Sequence, residues 1–295
     1  MLSIQNRGGN ILNHSLPIHY SQNYIQSAGL VEKLLSRSDI HPGDRVLDIG
    51  AGKGAITQAL LRLGCRVTAI ELDQGNMAYL KKQFGNDSRC TLLPGDFLSL
   101  HLPEKNYKIF SNIPFFITAD VLRKITQAPN PPSDAYLVLQ RQAALKCCGT
   151  AETTLKSLLL KPRFQMEILY RFSREDFRPR PHVDIVLFRI RKRAPGELSR
   201  REYESYREFV CYCFLHHQTY AEKIFTHRQR KELGKRHGIW DFRVSSLTYE
   251  EWLQLFHCYL QYADSYRKSL VEGSYRQYLK QEAGLQKQYR NFSSR

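Results

Sequence analysis

Between residues 44 and 114, short apolar runs alternate with stretches of helical periodicity, and that order constrains the fold more than any other feature of the chain. Strands buried on both faces carry near-continuous apolar residues, so this alternation reads as βαβ units on a parallel sheet. Strands are expected at 45–49, 66–71, 91–93 and 108–111, with helices at 55–63, 76–84 and 119–126. A fifth strand is expected at 135–140, and 164–172 and 184–191 close the sheet as an antiparallel pair. After Ala194-Pro195-Gly196, a linker signal, the pattern turns helical. Tyr206, Phe209, Val210, Cys213 and Phe214 recur at helical spacing, and Trp252, Leu253, Phe256 and Leu260 mark a second amphipathic helix. The final stretch, 262–295, reads as a solvated helix or a loose basic tail.

The first strand runs directly into Asp48-Ile49-Gly50-Ala51-Gly52-Lys53-Gly54-Ala55. Glycines at a strand-to-helix turn let backbone approach a ligand without a Cβ in the way. Alone, Gly50, Gly52 and Ala55 also fit a dinucleotide fingerprint. Glu71 ends the second strand, where a carboxylate can accept both ribose hydroxyls of an adenosine. Asp48 separates the readings, because its charge repels a pyrophosphate and attracts a cation. Asp96, in Gly95-Asp96-Phe97, can accept from an adenine amino group. Adenosine, positive charge and no phosphate together describe S-adenosylmethionine.

The fourth strand delivers Asn112-Ile113-Pro114-Phe115 to the carboxyl edge of the sheet, where ligands of open α/β sheets sit. An adenine N6 is a poor nucleophile because its lone pair is delocalised into the ring. Two acceptors aimed at its protons, the Asn112 side-chain oxygen and the Ile113 carbonyl, would free that lone pair. Pro114 narrows the backbone and donates no competing N–H, and Phe115 offers a face on which a base can stack.

Taken together, 48–54, Glu71, Asp96 and 112–115 resemble the ribosomal RNA adenine N6-methyltransferase superfamily, and more narrowly its erythromycin-resistance (Erm) branch. Ser21-Gln22-Asn23-Tyr24, Phe177-x-Pro179-x-Pro181-x-Val183-Asp184 and Phe209-Val210-Cys211-Tyr212 match the same branch, so the resemblance spans about 20–259. It implies a flexible segment at 1–19 and a Rossmann-like class I methyltransferase domain at 20–193, with a mostly parallel sheet and an antiparallel last strand. A small all-α C-terminal domain with a basic tail follows at 194–295. The implied activity is mono- or dimethylation of a flipped, unpaired adenine in 23S ribosomal RNA, which blocks macrolide, lincosamide and streptogramin B binding.

By the same resemblance, Gln22, Asn23 and Tyr24 line the methionine end of the cofactor, and Asp48, Gly50 and Gly52 face its backbone. Glu71 and Leu72 meet its ribose, and Asp96 and Phe97 its adenine. Asn112 holds the target amine, with Phe115 and Phe177 sandwiching the base. Tyr24 stands where Phe is more usual, Phe115 where Tyr is common, and His182 is unusual in its loop. The housekeeping small-subunit rRNA dimethyladenosine transferase shares the cofactor motifs and is the nearest rival. A non-catalytic RNA-binding protein on the same fold and a dehydrogenase are the others.

Length and charge agree with this picture. A chain of 295 residues is expected to hold two domains. Lys and Arg number 44 against 28 Asp and Glu, a net +16, which argues against a neutral metabolic enzyme and for a polyanionic partner. Up to Arg193 there are 27 basic and 16 acidic residues, against 17 and 12 beyond it, so the excess belongs mainly to the first part. Arg123, Lys124, Arg141, Lys146, Lys161, Arg163 and the run 171–180 are the candidate RNA contacts. No apolar run approaches a bilayer span, and residues 1–20 lack the apolar stretch of a signal peptide. The seven cysteines show no zinc spacing, so reduced thiols, no metal, a cytoplasmic location and a monomer are expected.

Overall fold

Alternate residues of each central strand face opposite apolar layers, which is what burial on both faces of a sheet requires. The computed structural model describes residues 23–150, 152–194 and 196–292; residues 1–19, Ser21 and Gln22 lie outside them. The chain opens with β1 (Tyr24–Ile25) and α1 (Ala28–Leu35), then β2 (Arg45–Ile49), α2 (Ala55–Arg62), β3 (Arg66–Glu71), α3 (Gln74–Phe84) and β4 (Cys90–Pro94). It continues through β5 (Lys108–Asn112), α4 (Thr118–Gln127), β6 (Asp134–Gln140), α5 (Arg141–Cys148), α6 (Leu155–Leu160), β7 (Phe164–Arg171), β8 (Phe177–Arg178) and β9 (Ile185–Lys192).

Seven strands form one sheet in the order β4-β3-β2-β5-β6-β9-β7, and β1 pairs with β8 apart from it. The first five are parallel, whereas β9 runs antiparallel to both β6 and β7. Leu47, Ile49, Ile109 and Leu137 pack with Val121 and Ile125 of α4 and Cys147 of α5 on one face. Val46, Val67, Phe110 and Val138 pack with Leu34 of α1 and Leu60 of α2 on the other.

The helical part comprises α7 (Arg200–Leu215), α8 (Tyr220–Ile224), α9 (His227–His237), α10 (Tyr249–Tyr262), α11 (Ser265–Val271) and α12 (Ser274–Phe292). Its core gathers Phe209, Trp252 and Phe256, and it also takes in Leu158 of α6. The stretch read as a solvated helix or loose tail is helical and docked. The guanidinium of Arg207 on α7 lies 4.4 Å over the Tyr275 ring of α12, and Glu208 accepts from the Tyr275 N–H at 3.0 Å.

One irregularity in the sheet positions everything that follows. β2 and β5 pair only at Val46–Lys108 and Leu47–Ile109, although both strands run further. Beyond that point the ladder opens, and the side chain of Ser111 stands in for the missing backbone partner. Its hydroxyl accepts from the Ile49 N–H at 2.8 Å and donates to the Leu47 carbonyl at 3.3 Å, in fully buried surroundings. Ser111→Ala would strand a buried amide, at a cost of about 1–3 kcal/mol. Thermal unfolding is expected to show a clearly lowered Tm, and an unchanged Tm would remove Ser111 from this role.

Candidate active site

The chain moves outward from β2 to β3 and β4, then returns to β5 on the other side of β2. Such a reversal leaves a crevice at the carboxyl edge, between strands whose following loops diverge. A cleft of about 320 Å³ occupies it, lined by Asn23, Tyr24, Asp48, Gly50 and the whole Asn112-Ile113-Pro114-Phe115 corner.

The glycine loop on its floor is fixed by its neighbour strand. Gly50 and Ala51 donate to the Ile70 carbonyl at 2.8 and 3.1 Å, and Gly52 donates to the Glu71 Oε2 at 2.7 Å. Gly52 has φ +56, and a Cβ there would meet Tyr24 Cε1 at 2.8 Å. Gly54 opens α2 with φ +79, and a Cβ there would strike Phe84 at 2.5 Å. Both positions therefore exclude a side chain: Gly52, which does not line the cleft, for the Tyr24 ring that covers it, and Gly54 for packing against α3.

Asn112 sits at the rim with its amide orientation set. Its Nδ2 donates to the Asn23 carbonyl at 2.6 Å. Only the NH2 of an amide can satisfy a carbonyl, so Oδ1 is left as an acceptor with no donor among the described residues. The Ile113 N–H donates to Val138 at 3.1 Å, which fixes the next peptide plane. Phe115 is half-buried in the cleft wall.

Glu71, Leu72, Asp96 and Phe97 do not line this cleft. The Glu71 carboxylate, 2 % exposed, accepts from Gly52 and, at 2.8 Å, from the Asp73 N–H. The Tyr24 ring covers Gly52, and its hydroxyl engages Asn76 at the start of α3, beside Glu71 and Asp73. Burial pushes that phenol above its ordinary value, and the two acids add to the effect. Asp96 is exposed and caps its own turn, accepting from the Leu98 N–H at 2.9 Å. Leu72 is 51 % exposed, whereas the Phe97 side chain lies in the core.

Two groups of residues stand elsewhere than the sequence placed them. Phe177, expected to stack on the base, is 1 % exposed and packs in the core with its ring centroid 5.1 Å from that of Phe172. Lys124, expected on phosphate, donates instead to the carbonyls of Phe97 (2.7 Å), Leu98 (2.8 Å) and Leu100, tying α4 to the loop after β4. Burial lowers the pKa of that ammonium. Arg163 donates to the Thr126 carbonyl at 3.3 Å and lies over Phe164 and Tyr203, and Lys161 lies 5.5 Å over Tyr249.

Arg123 pairs with Asp120 at 2.6 Å, and Arg141 is half-buried with its Nε out of reach of any described acceptor. Lys146 is exposed without an ion pair among the described residues. The cleft instead presents Lys53 and Arg178, both exposed, and Phe116, 62 % exposed, stands beside Phe115. Lys53 lies inside the glycine motif, where its neighbours overshadowed it, whereas Arg178 belongs to the run 171–180 already expected to contact RNA.

Asp48 is the one acid among the described residues lining the cleft. It is 1 % exposed, and among the described residues its carboxylate is held by Thr57, whose hydroxyl donates to it at 2.7 Å and whose backbone N–H also engages it. Burial, with the Glu71 charge adding to it, pushes its pKa up to about 7 from 3.8, with Thr57 opposing. Below 3.8 the carboxyl is protonated whether the chain is folded or not. Between 3.8 and about 7 only the folded state holds the proton, so rising pH removes stability until the loss is complete above about 7. Asp48→Asn keeps an acceptor for Thr57 and carries no charge. Its Tm is expected to exceed that of the parent at pH 8 and to lose that advantage as the pH falls toward 4; an advantage independent of pH would contradict this origin.

The family model for ribosomal RNA adenine dimethylase matches residues 13–261. An rRNA adenine N-6-methyltransferase from Lysinibacillus sphaericus is 30% identical over 240 residues, covering 81% of this chain and 95% of the relative. One of the same name from Bacillus licheniformis is 28% identical over 263 residues, covering 87% and 91%. Among solved structures, the 23S rRNA methyltransferase ErmE superposes with TM-score 0.74 at 24% identity, over 81% of this chain and 100% of that one. A dimethyladenosine transferase from Plasmodium falciparum superposes with TM-score 0.61 at 19% identity, over 78% and 95%. The parallel sheet, its reversal at β2 and the helical region are thus a shared fold, and the chain belongs to the ribosomal RNA adenine dimethylase family.

Proposed function

We propose that the protein uses S-adenosylmethionine to methylate N6 of a flipped, unpaired adenine in 23S ribosomal RNA, conferring macrolide, lincosamide and streptogramin B resistance. The observation that carries this reading is the Asn112 amide at the cleft, oriented by the Asn23 carbonyl so that its Oδ1 is left as an acceptor with no donor among the described residues. The relatives' name, rRNA adenine N-6-methyltransferase, supports the substrate class. The Pro181-His182-Val183-Asp184 loop and the aromatic-rich helical region support the 23S branch over the small-subunit one.

The residues fit such a donor. A buried carboxylate with no cationic partner, Asp48, stands at the head of a glycine cradle that a Cβ would fill. When bound, the donor supplies an electrophilic methyl on a sulfonium. Asn23, Tyr24 and Gly50 would hold it in the cleft, and its ribose and adenine would extend beyond the cleft toward Glu71 and Leu72 and toward Asp96 and the backbone of Phe97.

The remaining work belongs to the acceptor side. Asn112 Oδ1 and the Ile113 carbonyl accept hydrogen bonds from the two N–H groups of the target amine, which turns its lone pair toward the donor. Phe115 stacks on the extruded base, worth about 1–3 kcal/mol. Extrusion costs least for an unpaired nucleotide, which is why looped RNA is the substrate. Positioning supplies most of the acceleration. Asp48, buried against Thr57, is badly placed as a base, and the proton leaves to solvent once the nitrogen is cationic. We place the enzyme in the cytoplasm, as a monomer.

The test is methylation of purified large- and small-subunit rRNA in parallel with labelled donor, followed by primer extension to locate the modified base. Incorporation is expected in large-subunit RNA, and Asn112→Ala is expected to lower it by roughly a hundredfold. Incorporation confined to small-subunit RNA would replace this reading with the housekeeping dimethyltransferase. Full activity of Asn112→Ala would remove its amine-holding role.

A second expectation concerns charge in the donor site. Affinity for the cationic donor is expected to rise, relative to that for the uncharged thioether product, as pH increases through about 7, where Asp48 ionises. Calorimetry at pH 6 and 8 measures this, and Asp48→Asn is expected to abolish the difference.

A further inference from the structure

The helical part carries an aromatic surface that the methyl-transfer site does not use. Trp240 is 66 % exposed, yet its ring is firmly seated. Helix α9 ends at Gly238, whose φ of +73 turns the chain back, with its N–H on the carbonyls of Gly234 and Leu233. Ile239, 1 % exposed, donates to the Leu233 carbonyl at 3.3 Å and buries its side chain in the helical core. That anchor lays the indole against Gly234, where a Cβ would fall 2.4–2.6 Å from the ring atoms. One face of the indole therefore covers the helix at a glycine, and the other is open to solvent. The loop beyond it is tied to the sheet domain, since Thr153 donates to the carbonyls of Ser245 and Leu247 at 3.3 and 2.5 Å.

The helix beneath the indole is strongly cationic. From His227 to His237 it holds five Lys and Arg residues and one acid, Glu232. Arg236 pairs with Glu232 and Arg230 lies 3.8 Å from Glu222. Arg228, Lys231 and Lys235 are exposed and make no ion pair among the described residues. Lys231 and Lys235 are four residues apart on α9 and lie about 60° and 100° round the helix from Gly234, so helical geometry places both along one side of the indole's seat. A flat aromatic face bordered along one side by two exposed cations matches a nucleobase with its phosphates, and it opposes a cationic or purely apolar partner.

We propose that Trp240 and α9 form a second RNA-contact surface, on which an unpaired nucleobase stacks on the indole while Lys231 and Lys235 meet the adjoining phosphates. This deepens the reading of the chain as an enzyme acting on looped RNA. Thr153 ties the loop after Trp240 to the sheet domain, so a substrate that meets both surfaces presents two unpaired segments.

The full chain and an unstructured oligouridylate of about a dozen nucleotides test this, since uracil has no exocyclic amine for Asn112 to hold. The chain has two tryptophans, and Trp252 is fully buried, so its emission reports the fold while Trp240 reports the surface. Oligouridylate is expected to quench the exposed emission. Trp240→Leu is expected to abolish the quench and weaken binding about tenfold, within the range for one lost stacked base. Lys231→Gln combined with Lys235→Gln is expected to reduce the slope of log K against log salt by about 1.4, two contacts at about 0.7 each.

Unchanged emission at saturating oligouridylate would overturn the proposal, as would wild-type affinity in both variants. Quenching that follows protein concentration without RNA would also overturn it, by showing the indole to be a contact between copies. Binding is read without turnover, so a chain that methylates nothing but quenches on oligouridylate refutes the activity and leaves this surface standing.

Discussion

The divergence of β2 and β5 beyond two paired residues is the constraint on which the rest of the structure depends. A buried backbone group that leaves a ladder must find another partner. Here each one does so through a buried residue at the ends of the neighbouring strands. Ser111 takes the Ile49 amide, the Ile70 carbonyl takes Gly50 and Ala51, and the Glu71 carboxylate takes Gly52. The loop that faces the cleft is consequently rigid before any ligand arrives. Such preorganisation is what positioning requires when there is little acid–base chemistry for the protein to perform.

Electrostatics in the cleft works against stability and for function. Two carboxylates, Asp48 and Glu71, are buried at the ends of adjacent strands with no cationic side chain hydrogen-bonded to either. Burying an acid in this way costs free energy, and the raised pKa of Asp48 expresses that cost. A fixed lysine in the cleft would relieve it, but it would also compete with a cationic donor. Lys53 lines the cleft yet is exposed to solvent, where its charge is screened.

The strands were almost fully legible in sequence, because a strand buried on both faces is an unbroken apolar run with a sharp end. The 45–49 and 66–71 expectations match β2 and β3 residue for residue. Helix α3 begins two residues earlier than expected because the Asp73 side chain caps it, accepting from the Asn76 N–H. The pair β1–β8 is two residues long on each side, too short for periodicity to register. The corner residues around Asn112 were legible because motif spacing identified them. Phe177 and Lys124 were not, because a phenylalanine before a strand and a lysine on a helix look the same in sequence whether they face a ligand or the core. Only tertiary contacts with Phe172, and with the carbonyls after β4, distinguish the cases.

The same ambiguity governs the net charge. The run from Lys161 to Arg193 looked like an RNA surface because ten of its residues are basic and four acidic. Yet Arg189 lies inside an ion-pair cluster with Asp134, Glu167 and Asp39, and Arg191 joins it at Asp39 and Asp134. The phenol of Tyr136 donates to the same Asp134, which locks β6 to β9 and to the segment after α1. Cations held this way neutralise the acids beside them, of which Asp134 is buried, and contribute little field outside the molecule. The helical part, with the smaller excess, holds three exposed cations without an ion pair among the described residues along α9. Local net charge is therefore a poor guide to where a polyanion docks; what matters is which cations lack an acid and stand beside a surface that a base can use.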